Sequence, residues 1–306
     1  MDYGKLIINV LMFTGIVLKG VTYSQEADPV QSTGNNNADE YIQLCKTSLQ
    51  QEKPEEAVEY AKKAIELDDS CSQYYYWLGQ AYGIKAQKAS IFGKMPNAKK
   101  CKEAWLKAVE LDPKNLDARF GLFNYYLQVP GIAGGGKDKA IKEAEEITNI
   151  NPVSGHIALA QVYESEEKFR EAEQEYIQAT EVNPEDTGPY FNLGFFYQKQ
   201  EKFDKAEDTF QKILNQKPDD TDALYQLGKT KLLSGKDLDK GITCFEKYLK
   251  KEPTENNANR SYAHWRLGMI YEKLENKEQA KAEYQKALEL YPGNKEAKEV
   301  LEKIDS

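Results

Sequence analysis

One segment of the chain matches most of a phosphate-binding loop. Gly131-Ile-Ala-Gly-Gly-Gly136-Lys137 fits the pattern G-x-x-x-x-G-K, in which backbone amides and the lysine hold nucleotide phosphates. The next residue is Asp138, where the motif requires a Ser or Thr hydroxyl for Mg²⁺, and a carboxylate there would repel phosphate. The segment also follows a predicted helix, Leu122 to Leu127, instead of a strand. We therefore expect a glycine-rich turn that ends where a helix starts at Lys137, and no nucleotide binding.

Few other residues are able to carry catalytic or metal chemistry. The two histidines, His156 and His264, occupy positions where we expect packing side chains. The four cysteines, Cys45, Cys71, Cys101 and Cys244, match no metal-binding spacing. No Ser/His/Asp, Cys/His or metal-ligand set can be assembled, so we predict a protein that is not an enzyme and that has no cofactor and no metal.

Acidic residues outnumber basic ones. The chain has 50 Asp and Glu against 41 Lys and Arg, which gives a formal net charge of −9. Recognition of phosphate depends on clustered Lys and Arg, so this balance argues against nucleic acid and anionic lipid as partners. The Glu and Lys residues recur at helical spacing and predict solvated faces with i,i+4 ion pairs.

A period of about 34 residues organises the chain from Ala38 onward. Prolines that end helical stretches mark it, at Pro113, Pro152, Pro184, Pro218, Pro253 and Pro292. An aromatic-x-x-Leu-Gly-x-x-Tyr motif recurs between them, as in Tyr75-Leu78-Gly79-Tyr82, Tyr190-Leu193-Gly194-Tyr197 and, with His in the first place, His264-Leu267-Gly268-Tyr271. A third motif has a small residue and then an aromatic four residues on, as in Ala172-Tyr176, Ala206-Phe210 and Ala280-Tyr284.

These motifs resemble the tetratricopeptide repeat (TPR), whose signature is W-x-x-L-G-x-x-Y, then A-x-x-x-F, then P. The resemblance covers about residues 38–292. It implies an all-α, right-handed α-solenoid of about seven helix-turn-helix repeats over 38–293, with a C-terminal capping helix at 294–306. Cys45 and Cys101 fall at positions where this repeat buries a small residue, so we expect mostly free, unreactive thiols.

The N-terminus predicts export. Lys5 precedes the apolar run Leu6–Leu18, which has the length of a signal-peptide core and is too short to span a bilayer comfortably. Thr22-Tyr23-Ser24 offers a cleavage site. We therefore predict a signal peptide over 1–24, a flexible linker over 25–37, and a periplasmic or secreted protein. The alternative is an uncleaved anchor, which is the one case in which we expect membrane contact.

Extra residues interrupt the repeat at 88–100, 129–137 and 254–258. Ile91, Phe92 and Met95 make the first insertion apolar for a loop, and they are candidate loop contacts with a partner. Passive drift is the alternative, since long surface loops cost little. The first two insertions and their flanks resemble a subgroup of secreted bacterial repeat proteins, which implies export and adds no catalytic residue.

The predicted partner site is a face of the first helix of each repeat, which in the family's geometry lines a concave groove. Its aromatic positions are Tyr76, Phe120, Phe191, Tyr225 and Trp265; one turn further along come Gln80, Asn124, Phe195, Lys229 and Met269. Ile157 and Gln161 hold these places in the fourth repeat. Packing of the rings on neighbouring repeats is the alternative role. Lys46, Asn124, Lys229 and Arg266 look scattered, so we expect no carboxylate clamp and instead an extended or helical peptide with apolar side chains.

Three functions remain open from the sequence. The leading one is a non-enzymatic scaffold or adaptor of the bacterial cell envelope that binds a protein segment in the aromatic groove. The second is a structural subunit of a permanent envelope complex that docks through residues 88–100. The third is a carrier of an apolar small molecule.

Overall fold

The computed structural model describes residues 36–251 and 257–304, and within them the fold is helical throughout. No strand occurs in these residues, and the only 3₁₀ turn among them is Gly131–Ala133. The α-helices are α1 Asn36–Gln50, α2 Pro54–Leu67, α3 Ser72–Lys88, α4 Ile91–Leu111, α5 Leu116–Gln128, α6 Lys137–Ile150, α7 Pro152–Ser165, α8 Phe169–Val182, α9 Gly188–Lys199, α10 Phe203–Gln216, α11 Thr221–Ser234, α12 Leu238–Lys251, α13 Asn257–Lys273, α14 Lys277–Leu290 and α15 Lys295–Ile304. The predicted all-α fold is confirmed. None of these helices is both long and apolar enough to cross a bilayer.

Some predictions concern residues outside the described ranges. These are the signal peptide at 1–24, the linker up to residue 35, the greater part of the insertion at 254–258, and the last two residues of the capping segment. At the start of the described chain, α1 begins at Asn36, so the last two residues that we assigned to the linker are helical.

The helices follow one another as seven pairs, α1/α2 to α13/α14, and α15 comes last. This order confirms the α-solenoid of helical repeats. Five pairs are joined by a turn that contains a non-glycine residue in the left-handed region, at φ between 48 and 59°, and the α11/α12 turn also has Gly235 there, at 69°. These residues are Glu52, Glu167, Glu201, Asp237 and Glu275. The left-handed residue ends the first helix and lets the chain reverse direction within a few residues.

Glycines of the first helices allow the second helices to approach closely. A Cβ added at Gly194 would lie 2.5 Å from the Phe210 ring, and one at Gly268 would lie 2.4 Å from the Tyr284 ring. Phe210 and Tyr284 are completely buried. The glycine motif and the aromatic motif of the sequence are therefore two halves of one contact, in which the ring fills the space that the missing side chain leaves.

The chain divides into two compact units, unit 1 up to Ala172 and unit 2 from Glu173. In unit 1, the Trp105 ring of α4 packs against both Gly79 of α3 and Gly121 of α5, so one residue joins two repeats. In unit 2, Phe210, Phe245 and Tyr284 have the corresponding place in three successive pairs.

The insertion at 88–100 is helical for most of its length, contrary to the loop that we expected. It forms the first turns of α4, a helix of 21 residues. Ser90 starts this helix, and its carbonyl accepts from the N–H groups of Gly93 and Lys94. Pro96 lies inside this helix, where it has no N–H to donate, and packing of α4 against α3 stabilises the helix in spite of it. Phe92 and Met95 therefore lie on a helix, and Ile91 is its first residue.

The glycine-rich segment forms the turn that we predicted. Gly134 and Gly136 have φ of 90° and 135°, values that favour glycine, and α6 starts at Lys137. Its backbone amides bond to the chain's own carbonyls: Gly136 N–H donates to Tyr126 O at 2.8 Å and Gly134 N–H to Gly131 O at 2.9 Å. These amides are thus not directed at a phosphate site.

Candidate functional site

The first helices of unit 2 carry an apolar aromatic surface on α9. Phe191 and Phe195 lie one turn apart, with ring centroids 6.2 Å from each other. Both rings also contact Phe210 of the second helix, at 6.2 and 6.0 Å. Phe210 is fully buried, whereas Phe195 remains 44% exposed. Part of each predicted ring therefore packs within its repeat, and the exposed part of Phe195 is available to a partner.

A second aromatic group joins α11 to α13. The Tyr225 ring packs on Phe245 and Tyr248 of α12, at centroid distances of 5.5 and 5.1 Å. The Tyr225 hydroxyl accepts a hydrogen bond of 2.9 Å from Nε of Arg266, which lies on α13. The Arg266 guanidinium stacks over the Tyr225 ring at 5.5 Å and over the Trp265 ring at 5.0 Å. Such stacking holds the guanidinium in one orientation.

Lys229 lies close enough to Arg266 for the two positive charges to interact. Burial lowers the pKa of the Lys229 ammonium below its usual range, and the Arg266 charge lowers it further. Neither side chain forms an ion pair with a residue of the described chain. We expected the basic candidates to be scattered. For Lys229 and Arg266 that expectation is wrong, because α11 and α13 lie side by side.

The same surface has polar groups that lack a partner. Trp265 Nε1 and Gln226 Oε1 are buried atoms without a hydrogen bond in the described structure. A buried donor without a partner is costly, and such groups occur where a ligand or water completes the bond. Met269 is half-buried one turn beyond Trp265. The α11–α13 surface thus combines two cations, an unused N–H and apolar rings.

Amide contacts connect this surface to α9. Nε2 of Gln198 donates to the Gln226 carbonyl at 3.2 Å and to the Thr230 hydroxyl at 2.8 Å. Gln198 is buried, and sequence inspection did not single it out. Through these bonds α9 is held against α11, so Phe195, Tyr225 and Trp265 occupy adjacent helices of unit 2.

In unit 1, some polar side chains of the predicted site form hydrogen bonds within the protein. Gln80 donates to the Tyr76 hydroxyl at 2.9 Å, and Asn124 donates to the carbonyl of Phe120 in its own helix at 2.9 Å. Phe120 packs against the buried cluster between α5, α6 and α7. Ile157 and Gln161 are half-buried on α7. This set has no pair of cations like that of unit 2.

The residues considered for catalysis have structural environments. His264 Nδ1 is 2.6 Å from Glu283 Oε2, which holds the ring between α13 and α14. All four cysteines are free, and Cys45 and Cys101 are fully buried, as predicted. Burial raises the pKa of the Cys45 thiol to about 12 and that of Cys101 well above its ordinary value. These thiols therefore remain protonated and unreactive at neutral pH. No metal-binding cluster occurs among the residues that the structure describes.

Many ion pairs connect consecutive repeats, in addition to the short-range pairs that the sequence suggested. Lys205–Glu173, Lys236–Asp204 and Lys251–Asp219 each span 32 residues, with N–O distances of 2.6 to 2.9 Å. Lys231 is 1% exposed and is held by Glu207 and by Asp237, whose own side chain is exposed; periodicity did not reveal this buried lysine. For the three pairs between repeats, the common spacing of 32 residues would have been the clue.

The comparisons with known proteins agree with this repeat structure. A family model described as the middle TPR-like domain of cilia and flagella-associated protein 70 matches residues 156–290. A tetratricopeptide-repeat protein from Parabacteroides merdae is 17% identical, over 89% of this chain and 100% of its own, with a TM-score of 0.53. This chain has the fold of tetratricopeptide-repeat proteins. It thus has the helix pairs that its sequence motifs predicted.

Further matches bear on the fold alone. The family model for regulator of microtubule dynamics protein 1-3 matches residues 37–129. The C-terminal part of a TPR protein from Cytophaga hutchinsonii is 14% identical, over 84% of this chain and 98% of its own, with a TM-score of 0.55. YrrB, described as a TPR protein with an unusual peptide-binding site, is 20% identical with a TM-score of 0.40, over 80% of this chain and 98% of its own. Among curated protein sequences, none matches this TPR chain.

Proposed function

We propose that this TPR protein is a non-enzymatic scaffold that binds a protein segment on the first helices of unit 2. The observation that carries the proposal is the Lys229–Arg266 pair, set among the rings of Tyr225 and Trp265 without a counter-ion in the described chain. A half-buried lysine next to a second cation is unfavourable by itself, and an anionic ligand relieves the repulsion.

The ligand that suits this surface is an extended peptide with one acidic group and apolar side chains nearby. The carboxylate would bind between Lys229 and Arg266. The apolar side chains would contact the exposed part of Phe195, on the adjacent helix. This adds an acidic group to the peptide with apolar side chains that the sequence led us to expect.

Selection from a peptide library tests the proposal with a charge-matched control. Lys229→Glu should abolish binding of the selected peptides, and Phe195→Ala should weaken it about tenfold or more, as for an interface hot spot. Lys247→Glu makes the same charge change at an exposed site on the second helix α12, and it should leave binding intact. Equal binding by the Lys229→Glu and Lys247→Glu proteins would rule out this surface.

We also propose that the protein works in the cell envelope after export. The support is the apolar run Leu6–Leu18 with a small-residue site ending at Ser24. N-terminal sequencing of protein recovered outside the cytoplasm should then begin at Gln25. Recovery of an intact Met1 from the membrane fraction would instead favour the uncleaved anchor.

A further inference from the structure

Unit 1 concentrates positive charge in a strongly acidic protein. Residues 70–102 contain Lys85, Lys88, Lys94, Lys99, Lys100 and Lys102, and no Asp, Glu or Arg. This stretch contributes +6, so the remainder of the chain carries −9 − 6 = −15. We call residues 85–102, together with the neighbouring turn at 129–136, the basic tip. The net charge, from which we argued against anionic lipid, conceals this local excess.

Half of these lysines have no carboxylate partner. Lys88 binds Glu52 at 2.9 Å, and Lys85 and Lys99 make longer contacts with Glu55 and Glu103, at 3.6 and 3.8 Å. Lys94, Lys100 and Lys102 form no ion pair with any described residue.

The unpaired charges lie beside aromatic rings and a basic depression. Lys100 and Lys102 lie 5.5 Å from the rings of Tyr82 and Tyr125. Lys100 also lines a shallow depression of 350 Å³ with Lys62 and Lys107, against the single acid Glu103. The excess of charge at the basic tip is therefore available to an external anion.

Both insertions place apolar side chains at the same edge of unit 1. Helices α4 and α5 are consecutive and joined by a short turn, so the first turns of α4 and the turn that follows α5 extend toward the same end of unit 1, and the latter turn packs beside Lys102. The Tyr125 hydroxyl donates to Ala133 O, and Lys102 Nζ lies 3.1 Å from where a Gly134 Cβ would be. At this edge Phe92 is 90% exposed and Ile132 is 97% exposed. Met95, three residues after Phe92 on α4, is 45% exposed.

We propose that the basic tip binds the surface of an anionic lipid membrane, with Phe92 and Ile132 entering the boundary between headgroups and acyl chains. Exposed apolar residues flanked by lysines are characteristic of interfacial membrane contact. The side chains protrude as single residues instead of lining a groove. A protein partner would need two matching pockets to receive them, whereas a lipid surface receives them without shape complementarity. This site is in unit 1 and is independent of the peptide surface of unit 2.

A tryptophan at the basic tip tests the proposal directly. Phe92→Trp keeps an exposed aromatic side chain at this position. The fluorescence of the introduced tryptophan is obtained by subtracting the spectrum of the parent full-length chain. When vesicles of phosphatidylcholine and phosphatidylglycerol at 3:1 are added, we expect the emission of the introduced tryptophan to shift to the blue. Lipids with dibrominated acyl chains should quench that emission. Leu233→Trp, at an exposed position of α11, is the matched control and should not be quenched. The apolar N-terminal run is present in every variant, so a difference between the two positions arises from the tip.

Further variants separate the apolar and charged contributions. Combining Phe92→Ser with Ile132→Ser should lower vesicle partitioning about tenfold or more. Lys94→Glu with Lys100→Glu should remove the preference for anionic over neutral vesicles, and high salt should do the same in the parent. All four positions are exposed or half-exposed, so the fold should survive, as circular dichroism would verify.

Two outcomes would overturn the proposal. One is equal quenching of the Phe92→Trp and Leu233→Trp proteins, which would mean that contact is not made through the tip. The other is a Phe92→Trp emission that responds to a soluble poly-glutamate peptide and not to anionic vesicles, which would assign the tip to an acidic protein.

Discussion

Single carboxylates in this protein hold several cations at once, and Glu173 is the clearest case. Its two oxygens accept from Lys202 and Lys205, each at 2.6 Å, and from the Tyr197 hydroxyl at 3.0 Å. Burial alone would raise the pKa of Glu173. The hydrogen bonds from Lys202, Lys205 and Tyr197 outweigh that effect and lower the pKa to about 2. Lys231, Glu207 and Asp237 form a comparable group in the next repeats.

This arrangement predicts an acid-sensitive contribution to stability. The pKa of Glu173 is about 2 in the folded state and about 4.3 in an unfolded chain, so its contribution is present above about pH 5 and is lost as the pH falls toward 2. Glu173→Gln should cost about 1–2 kcal/mol at pH 7 and flatten the decline in stability between pH 5 and 2. Urea unfolding at several pH values measures both effects. Glu171→Gln, at an exposed position of the same helix, should leave the decline of stability between pH 5 and 2 as in the parent protein. A Glu173→Gln protein whose stability declined as steeply as that of the parent would refute the interpretation.

Pairs of helices are held at a fixed distance by a ring that lies against a glycine. In unit 2 this contact recurs at Gly194–Phe210, Gly228–Phe245 and Gly268–Tyr284. The rings are 0% exposed, so they cannot move toward solvent to admit another atom. This close packing fixes the distance between the two helices of each pair. It therefore also fixes the position of the first helices, which carry the aromatic surface.

We expect Gly268→Ala to destabilise the protein in spite of its better helix propensity. Alanine gains about 1 kcal/mol in a helix, but its Cβ would lie 2.4 Å from the Tyr284 ring, and overpacking costs about 1–3 kcal/mol. The Tyr284 hydroxyl is also bound to Glu272, which restricts its movement. A net loss of up to about 2 kcal/mol should follow in denaturant unfolding. Gly131→Ala, with no atom within 4 Å of the added Cβ, should be neutral. A Gly268→Ala protein as stable as the parent would show that the ring is free to shift.

At the scale of the whole molecule, stability and charge are both distributed unevenly along the chain. Each repeat depends mainly on its neighbours, so the last pair needs a cap. The cap begins at Asn294, which is fully buried, donates to Ser261 Oγ at 2.9 Å and accepts from Ala297 N–H at 3.0 Å. The charge is also unevenly distributed, because residues 70–102 are positively charged and the remaining chain is net negative.

Removal of residues 294–306 should therefore act mainly on the last repeat. We expect faster amide hydrogen exchange in α13 and α14, with little change in α1–α5, because nearest-neighbour contacts dominate in repeat proteins. Asn294→Ala keeps the helix and removes its cap, and should cost about 1 kcal/mol. Deletion of residues 305–306 alone is the control. A uniform loss of protection along the chain would indicate global cooperativity instead.

The sequence by itself determined the repeat architecture of this protein. Proline positions, the Leu-Gly-x-x-Tyr motifs and the small-residue positions of Cys45 and Cys101 depend on contacts within one repeat, and such contacts leave a period in the sequence. The same local reasoning correctly assigned Gly131–Lys137 to a turn, because Asp138 and the preceding helix were both visible. That Tyr225 and Trp265 hold equivalent positions in their repeats was implied by the resemblance to the tetratricopeptide repeat.

Only the tertiary structure decided what lies across from each residue. The proximity of Lys229 to Arg266, the burial of Lys231 and the bonds of Gln198 connect helices that are 20 to 40 positions apart, roughly one repeat, and depend on how the pairs stack. The helical start of α4 likewise replaced the loop expected around Pro96, because α4 packs extensively against α3. Contacts between repeats are fixed by packing geometry, and residue type alone does not encode them.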